Sequence, residues 1–205
     1  MWSYDKKQTE ILDVETWYNK FAHEYKKHHK FLAEFDRNLW QRFMPRNLEW
    51  KTIVDLGCGD GRISSFFAWK NIKEYVWVDI SENMLKNTKS YVKKIKHNLN
   101  EKFPIQDEYA DVVISLFTLL HIDNIQNFLE ETYRILKEDG VFIIFHHTER
   151  RNYKYSEWKN TYKIHTNTWN YREVEKLLDY NFFKFDIYEI KEDWILNWKY
   201  YVCRK

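Results

Sequence analysis

Glycine is scarce in this 205-residue chain, with 4 residues, about 2% where globular proteins usually carry ~7%. Cysteine is scarcer still: Cys58 and Cys203 are the only two, which excludes a disulfide framework and makes a reducing compartment the expectation. No apolar run approaches the roughly 18 residues of a membrane span, and the N-terminus lacks a signal-peptide pattern, so a cytoplasmic location with no membrane partner is expected. An excess of one charge is missing too. The 33 basic residues against 31 acidic ones leave a net charge of +2, too small to drive binding to nucleic acid, and no nucleic-acid partner is expected. What remains, 44% hydrophobic and 31% charged residues, is the composition of a folded domain. The length suits one domain.

Residues 1–50 read as helical, because Tyr18, Phe21 and Tyr25, then Phe31, Leu32, Phe35 and Leu39, recur at three- and four-residue steps before Pro45. Thr52–Leu56 reads as a buried strand running into glycines, followed by a helix over Arg62–Lys70 and a second strand over Glu74–Ile80. Ser81 is a candidate N-cap for the helix with Met84 and Leu85, and Tyr91–Leu99 reads as a polar strand near a sheet edge. Ala110–Leu116 is the clearest buried strand. Asp123 with Gln126 predicts a capping box for a helix that Gly140 ends, before a strand over Val141–Phe145. Residues 148–168 show no clean period and read as a lid or long connection. Asn170 with Glu173 predicts a last helix, then Phe182–Ile190 and Trp194–Val202 an antiparallel pair. Strand and helix alternate, so the fold class is α/β, a doubly wound, mostly parallel seven-stranded sheet. Residues 1–50 would form a helical cover and 51–205 the sheet-bearing part of the same domain. Ligands of such sheets sit beyond the carboxyl ends of the strands.

The segment Asp55-Leu-Gly-Cys-Gly-Asp-Gly-Arg62 carries the chemistry. Closely spaced glycines after a strand let the backbone bend sharply and approach a ligand, and the N–H groups that follow face it. Arg62 stands where a dinucleotide fingerprint would have its third glycine, which disfavours a nicotinamide oxidoreductase.

The stretch 55–61, together with VDISENML at 78–85, ADVVIS at 110–115 and the run from Leu120 to Phe145, resembles the class I S-adenosylmethionine-dependent methyltransferases over about residues 50–145. That resemblance implies a Rossmann-like methyltransferase fold, S-adenosyl-L-methionine as cofactor and no metal. It assigns Asp55, Gly57, Cys58, Gly59 and Gly61 to the methionine part of the cofactor, Asp79 to the ribose, and Ile80, Met84, Asn98 and Leu99 to the adenine. Ser115, Leu116 and Phe117 would border the transferred methyl.

Methyl transfer needs alignment above all, and a base only where the acceptor must lose a proton. His121, His146 and His147 lie near the expected ends of the fourth and fifth strands and are the catalytic candidates; a histidine bonded to backbone at a strand end is the competing account. Arg150 and Arg151 could bind an acidic substrate or simply be solvated. Trp17, Tyr18, Tyr25, Tyr153 and Tyr155 could wall a substrate pocket or pack on the sheet. The expected reaction is methyl transfer to a small-molecule or protein acceptor, a small molecule before a protein. The Asn/Asp-Pro-Pro-aromatic motif of nucleobase-amine enzymes is absent, Ser115-Leu-Phe-Thr118 standing in its place. A non-catalytic binding protein and an RNA methyltransferase of another type are the alternatives.

Tryptophan is as abundant as glycine is rare: 10 residues, so that the two types together make 14 of 205, the ordinary glycine level. Trp77 stands where the family usually has glycine, and so does Trp50; Trp69 is suggestive. Two readings follow. Either these are true tryptophans accommodated by repacking, or UGA codons that the source organism reads as glycine have been translated as tryptophan, and the second is the expectation at position 77.

Overall fold

A computed structural model describes residues 8–86, 91–147, 154–157, 160–181, 184–192 and 195–205. The described residues open on a strand, β1 (Gln8–Leu12), where helix was expected; it pairs in parallel with residues 160–164 at the edge of a small sheet. Asp13 then caps α1 (Val14–Tyr25) by accepting the Thr16 N–H. Further cover helices follow, α2 (His29–Asp36) and the one-turn α3 (Trp40–Phe43), which ends at Met44 just before Pro45.

The sheet strands lie where the apolar runs placed them. β2 (Thr52–Leu56) and β3 (Glu74–Asp79) are buried on both faces, and β4 (Val92–Lys96), rich in lysine, lies at the sheet edge. Between β3 and β4 sits α4 (Glu82–Leu85), capped by the Ser81 hydroxyl accepting the Met84 N–H. β5 (Ala110–Leu116) is buried, α5 (Ile125–Ile135) follows, and β6 (Leu136–His147) runs on without a loop. β7 (Lys154–Glu157) and β8 (Asn160–Ile164) precede α6 (Tyr171–Asn181), β9 (Lys184–Glu192) and β10 (Ile195–Arg204). The seven-stranded sheet has the order β4-β3-β2-β5-β6-β10-β9. β4 to β6 are mutually parallel, while β10 runs antiparallel to both β6 and β9.

Alternation along the strands builds two cores. Val54, Leu56, Val76, Val78 and Val113 meet Phe128 and Leu129 of α5 and Leu178 of α6 on one face. Ile53, Tyr75, Trp77, Val112 and Ile114 meet Trp40, Phe67, Phe145 and Tyr200 on the other. The strand order reverses between β2 and β5, so the carboxyl ends of β2, β3 and β5 open one crevice.

Several local expectations are corrected. Residues 62–70 form a run of i→i+3 turns around a 3₁₀ turn at Ser64–Phe66, with Ser64, Phe66, Phe67 and Ala68 each donating three residues back. The N-cap of α5 is Asn124, which accepts the Asn127 N–H, so no Asp123–Gln126 box forms. Asp139, at φ +61°, makes the left-handed bend after α5. Gly140 serves by its missing side chain, because a Cβ there would come 2.7 Å from the Lys137 carbonyl. Of residues 148–168, β7 and β8 join β1 in a small separate sheet, β8 parallel to β1 and antiparallel to β7. Arg150, Arg151 and Tyr153 lie outside the described residues. The reciprocal box at the start of α6 is as expected: Glu173 N–H donates to Asn170 and Asn170 N–H to Glu173.

The tryptophans divide. Trp50 holds φ +58°, a left-handed conformation that suits glycine, with its ring 69% exposed, and Trp69 is 96% exposed. Trp77 is 1% exposed, edge-on to Tyr75. A Cβ on Gly61 would lie 1.8 Å from the tip of its indole. The ring is accommodated, and it occupies the room beneath the loop that a first helical turn over 62–70 would need.

Two substitutions test these positions. Trp50→Gly should raise stability by about 0.5–1 kcal/mol, the relief of a left-handed backbone less the added chain entropy, read as a higher urea midpoint at unchanged slope. Trp77→Gly should add helical signal in the far-ultraviolet spectrum as residues 62–70 wind up. A loss of about 3–5 kcal/mol with no gain of helix would establish the indole as native core. UGG at codon 77 of the source gene would sink the recoding account; UGA would carry it.

Candidate active site

The glycine loop leaves β2 by turning under β3: the N–H groups of Gly57 and Cys58 both donate to the Val78 carbonyl, at 2.8 and 3.2 Å. Gly57 holds φ +75°, and a Cβ there would fall 2.2 Å from the Thr118 hydroxyl. That hydroxyl bonds to the Leu56 carbonyl at 3.0 Å, tying the exit of β5 to the exit of β2. The next residue to be fixed is Asp79, at the end of β3. One carboxylate oxygen accepts the Gly59 N–H and the other the Ser81 N–H, each at 2.8 Å. Between the strands lies a cleft of about 600 Å³, counting the part that opens to solvent.

The cleft wall brings together Gly57, Gly59, Asp79, Ile80, Asn98, Leu99 and Leu116 from the expected set. Asp55 and Cys58 line an adjoining recess with Gly57, Arg62 and Phe117. Gly61 lines neither, being turned against Trp77. Met84 is fully buried behind the wall, because the single turn of α4 points it inward. Ser115 is buried too. It shares the Val113 face of β5, whereas Leu116 on the other face lines the cleft.

The three histidines have different fates. His121, on a 3₁₀ turn at Leu119–His121, lines the cleft, with its Nε2 2.7 Å from the Tyr18 hydroxyl of α1. His146 is buried with Nε2 2.8 Å from the Trp169 carbonyl, and this backbone bond accounts for it. His147 is buried behind Phe117, with ring centroids 6.1 Å apart, and is not part of the cleft wall. Tyr18 and Tyr25 wall the cleft, whereas Trp17 and Tyr155 pack around Phe21 under the small sheet.

Other members of the wall were not anticipated: Val14, His97, Asn100, Thr118 and Ile122. Nor was the tie between Arg62 and Asp36. The guanidinium sits 2.6 Å from the fully buried carboxylate and 5.6 Å over the Phe117 ring, joining the end of α2 to the glycine loop. Phe117 itself holds φ +62°, a strained conformation for an aromatic residue, at the mouth of the site. No periodic pattern marks such residues; the ends of β2, β3 and β5 gather them.

Comparison with known proteins agrees with this geometry. The model of a methyltransferase-domain family matches residues 54–144, which hold β2 to β5 and the glycine loop. The human mitochondrial arginine-hydroxylase NDUFAF5 is 34% identical over 102 residues, 49% of this chain and 29% of that protein. The demethylmenaquinone methyltransferase of Leptospira interrogans is 28% identical over 141 residues, 62% of this chain and 57% of that protein. Among solved structures, a DhpI–SAM–HEP complex superposes with a TM-score of 0.71 at 14% identity, covering 93% of this chain and 95% of that one. Residues 54–144 thus match a methyltransferase-domain family, and solved S-adenosylmethionine-dependent methyltransferases share the fold of the chain. The chain spans little more than half the length of the methyltransferase relative and less of the hydroxylase.

Low dielectric sets the electrostatics of the site. Burial pushes the Asp55 carboxyl up to about 7 against the Tyr75 hydroxyl bond and Arg62, which pull it down. Burial likewise raises Asp79 to about 6, although the Ser81 and Gly59 N–H groups lower it. Burial lowers His121 to about 3, with His147 adding to the effect, and His146 to about 4. The signs oppose. The raised carboxyls stabilise the fold as pH falls from about 7 toward 4, and the depressed histidines destabilise it as pH falls below about 6.5.

Replacing one carboxyl exposes this balance. Relative to the wild type, Asp55→Asn should lose about 2–4 kcal/mol of stability as pH drops from 7 to 4, measured by urea unfolding at each pH; parallel curves would show that Asp55 does not titrate in that window. Asp79→Ala should cost about 2–4 kcal/mol even without ligand, since it orphans two buried N–H groups. Fully retained stability would mean that the loop stands without it.

Proposed function

We propose that the chain transfers the methyl group of S-adenosylmethionine to a small-molecule acceptor. The observation that carries this is the convergence on one cleft of the glycine backbone, a ribose-height carboxylate and a tyrosine–histidine pair, all from separate segments.

The residues fit the cofactor. A Cβ at Gly57 would strike the Thr118 side chain in the cleft wall, and the Nε2 of His97 is buried without a hydrogen-bond partner among the described residues. Gly57 and Gly59 would receive the methionine part, with Asp55 nearby for its amino group. Asp79 keeps acceptor capacity on both oxygens for ribose hydroxyls, beyond the two N–H bonds it already makes. Ile80, Asn98 and Leu99 would receive the adenine. When bound, the cofactor supplies an electrophilic methyl group on a sulfonium. The protein's part is to orient, to exclude water through the α1 cover, and to hold the acceptor near the methyl.

A relative named as an arginine-hydroxylase shows that likeness in this family does not by itself name the reaction, so the test must detect methyl transfer directly. S-adenosylmethionine and S-adenosylhomocysteine should stabilise the protein by about 2.7 kcal/mol at 100 times their dissociation constants, and NAD should not. Labelled cofactor should pass its methyl to members of a small-molecule panel. Binding without any turnover would favour a non-catalytic binding protein, and turnover on RNA alone would favour the RNA reading. Stabilisation by NAD alone would overturn the cofactor. Because burial raises the Asp55 carboxyl to about 7, cofactor binding at pH 7 should release a fraction of a proton, seen as a buffer-dependent binding heat.

A further inference from the structure

Two residues 103 positions apart meet at the inner end of the cleft. The hydroxyl of Tyr18 lies 2.7 Å from His121 Nε2, and their rings stand edge to face with centroids 5.2 Å apart. Both are held from behind. Asn19, next to Tyr18, bolts α1 to the start of α4: its side-chain oxygen accepts from the Ser81 hydroxyl and the Asn83 N–H, and its carbonyl from the Asn83 amide. His121 donates its backbone N–H to the Thr118 carbonyl at 2.8 Å, and its own carbonyl accepts from Asn100. The contact is therefore fixed by two rigid elements that share a wall with Gly57, Gly59 and Asp79.

We propose that Tyr18 and His121 act as one proton-accepting pair on the methyl acceptor, Tyr18 touching the acceptor and His121 standing behind it. This rests on the methyltransferase reading above and narrows the acceptor to a molecule whose nucleophilic nitrogen or oxygen carries a proton that must leave. The Nδ1–H tautomer of His121 leaves Nε2 free to accept from the Tyr18 hydroxyl. As the acceptor's N–H or O–H bond breaks, its electron pair stays on the nucleophile, its proton passes to the Tyr18 oxygen, and the Tyr18 proton passes to His121 Nε2. The new carbon–nucleophile bond forms as the carbon–sulfur bond breaks, with that bond's electron pair kept by sulfur. Charge balances: one positive charge leaves sulfur and one appears on the imidazole, which then sheds its proton to solvent.

Among the described residues, the titratable groups around the pair are Tyr25, Asp79 and His97 in the same wall and His147 behind it. Burial keeps His121 neutral in the resting protein, which leaves its Nε2 lone pair to the Tyr18 hydroxyl; the same burial disfavours the imidazolium, so the proton moves only as the sulfonium gives up its positive charge. A purely structural pair would not need this chemistry: phenylalanine and leucine would fill the space without burying the Nδ1 atom unpartnered.

The experiment compares wild type, Tyr18→Phe, His121→Asn and the double variant. S-adenosylhomocysteine affinity by calorimetry and the melting temperature should stay within threefold and a few degrees of the wild type. Nitrogen-15 spectra of the S-adenosylhomocysteine complex should show His121 Nε2 unprotonated and hydrogen-bonded, with its shift changed in Tyr18→Phe. With labelled S-adenosylmethionine and a panel of small primary amines and phenols, each single variant should lose about 10²-fold or more. The double variant should lose no more than the worse single one. Activity of the variants should recover at pH values where the acceptor has already lost its proton. Variants as active as wild type, losses equal at every pH, an Nε2–H tautomer, or a wild type that methylates none of these acceptors while binding S-adenosylhomocysteine would each overturn the proposal. Failure to bind S-adenosylhomocysteine would instead remove the methyltransferase reading on which it rests.

Discussion

At the end of β3 both oxygens of Asp79 are taken by backbone N–H groups from two different segments, Gly59 in the loop after β2 and Ser81 at the start of α4. A carboxylate bonded in this way lets a glycine loop with almost no side chains of its own hold one conformation. The loop sets the mouth of the cleft, and α4 offers the surface on which the cover docks. Because the same carboxylate is buried, it carries a desolvation cost that raises its proton affinity. It is thus both the fastener of the site and a buried polar group of the cleft wall.

The cover is fastened to this frame by polar ties. Asn19 grips Ser81 and Asn83, Asp36 grips Arg62, and the Tyr200 hydroxyl donates to the Asp36 carbonyl from β10 on the far side. A buried ion pair such as Asp36–Arg62 adds little net stability, since desolvation offsets its attraction, but breaking one side of it is costly. Its effect is to specify where α2 ends relative to the glycine loop. Tyr18 and Tyr25 are delivered to the cleft as a consequence of those ties.

The chain handles its buried charges by shifting proton affinities in both directions. Asp55 and Asp79 are raised, His121 and His146 lowered, and all four shifts have burial as the leading cause. Within the site this favours neutral groups before any ligand arrives. Charge brought in by a cation would then find carboxyls that ionise readily and an uncharged imidazole.

The strands of the large sheet, its parallel centre, the polar edge at β4 and the glycine loop were legible in the sequence because each depends on local composition and on a two-residue period. Asn170 with Glu173, and Ser81, were legible as caps for the same reason: the hydrogen bonds they make span three residues. The first strand, β7 and β8 were not, since β1 finds its partner β8 across some 150 residues and the pattern of all three is weak. The turns at 62–70 were not legible, because the Trp77 ring that packs against Gly61 at the head of that run comes from the next strand. Asp79 could be named from its motif, but its grip on Gly59 and Ser81 could not. His121, His146 and His147 looked alike in sequence; only packing decided that one lines the cleft, one bonds backbone and one is buried behind Phe117. Local rules determine which segments become strands and turns, while the side chains that meet at the site do so through contacts between distant segments, which only the tertiary structure brings within a few ångströms.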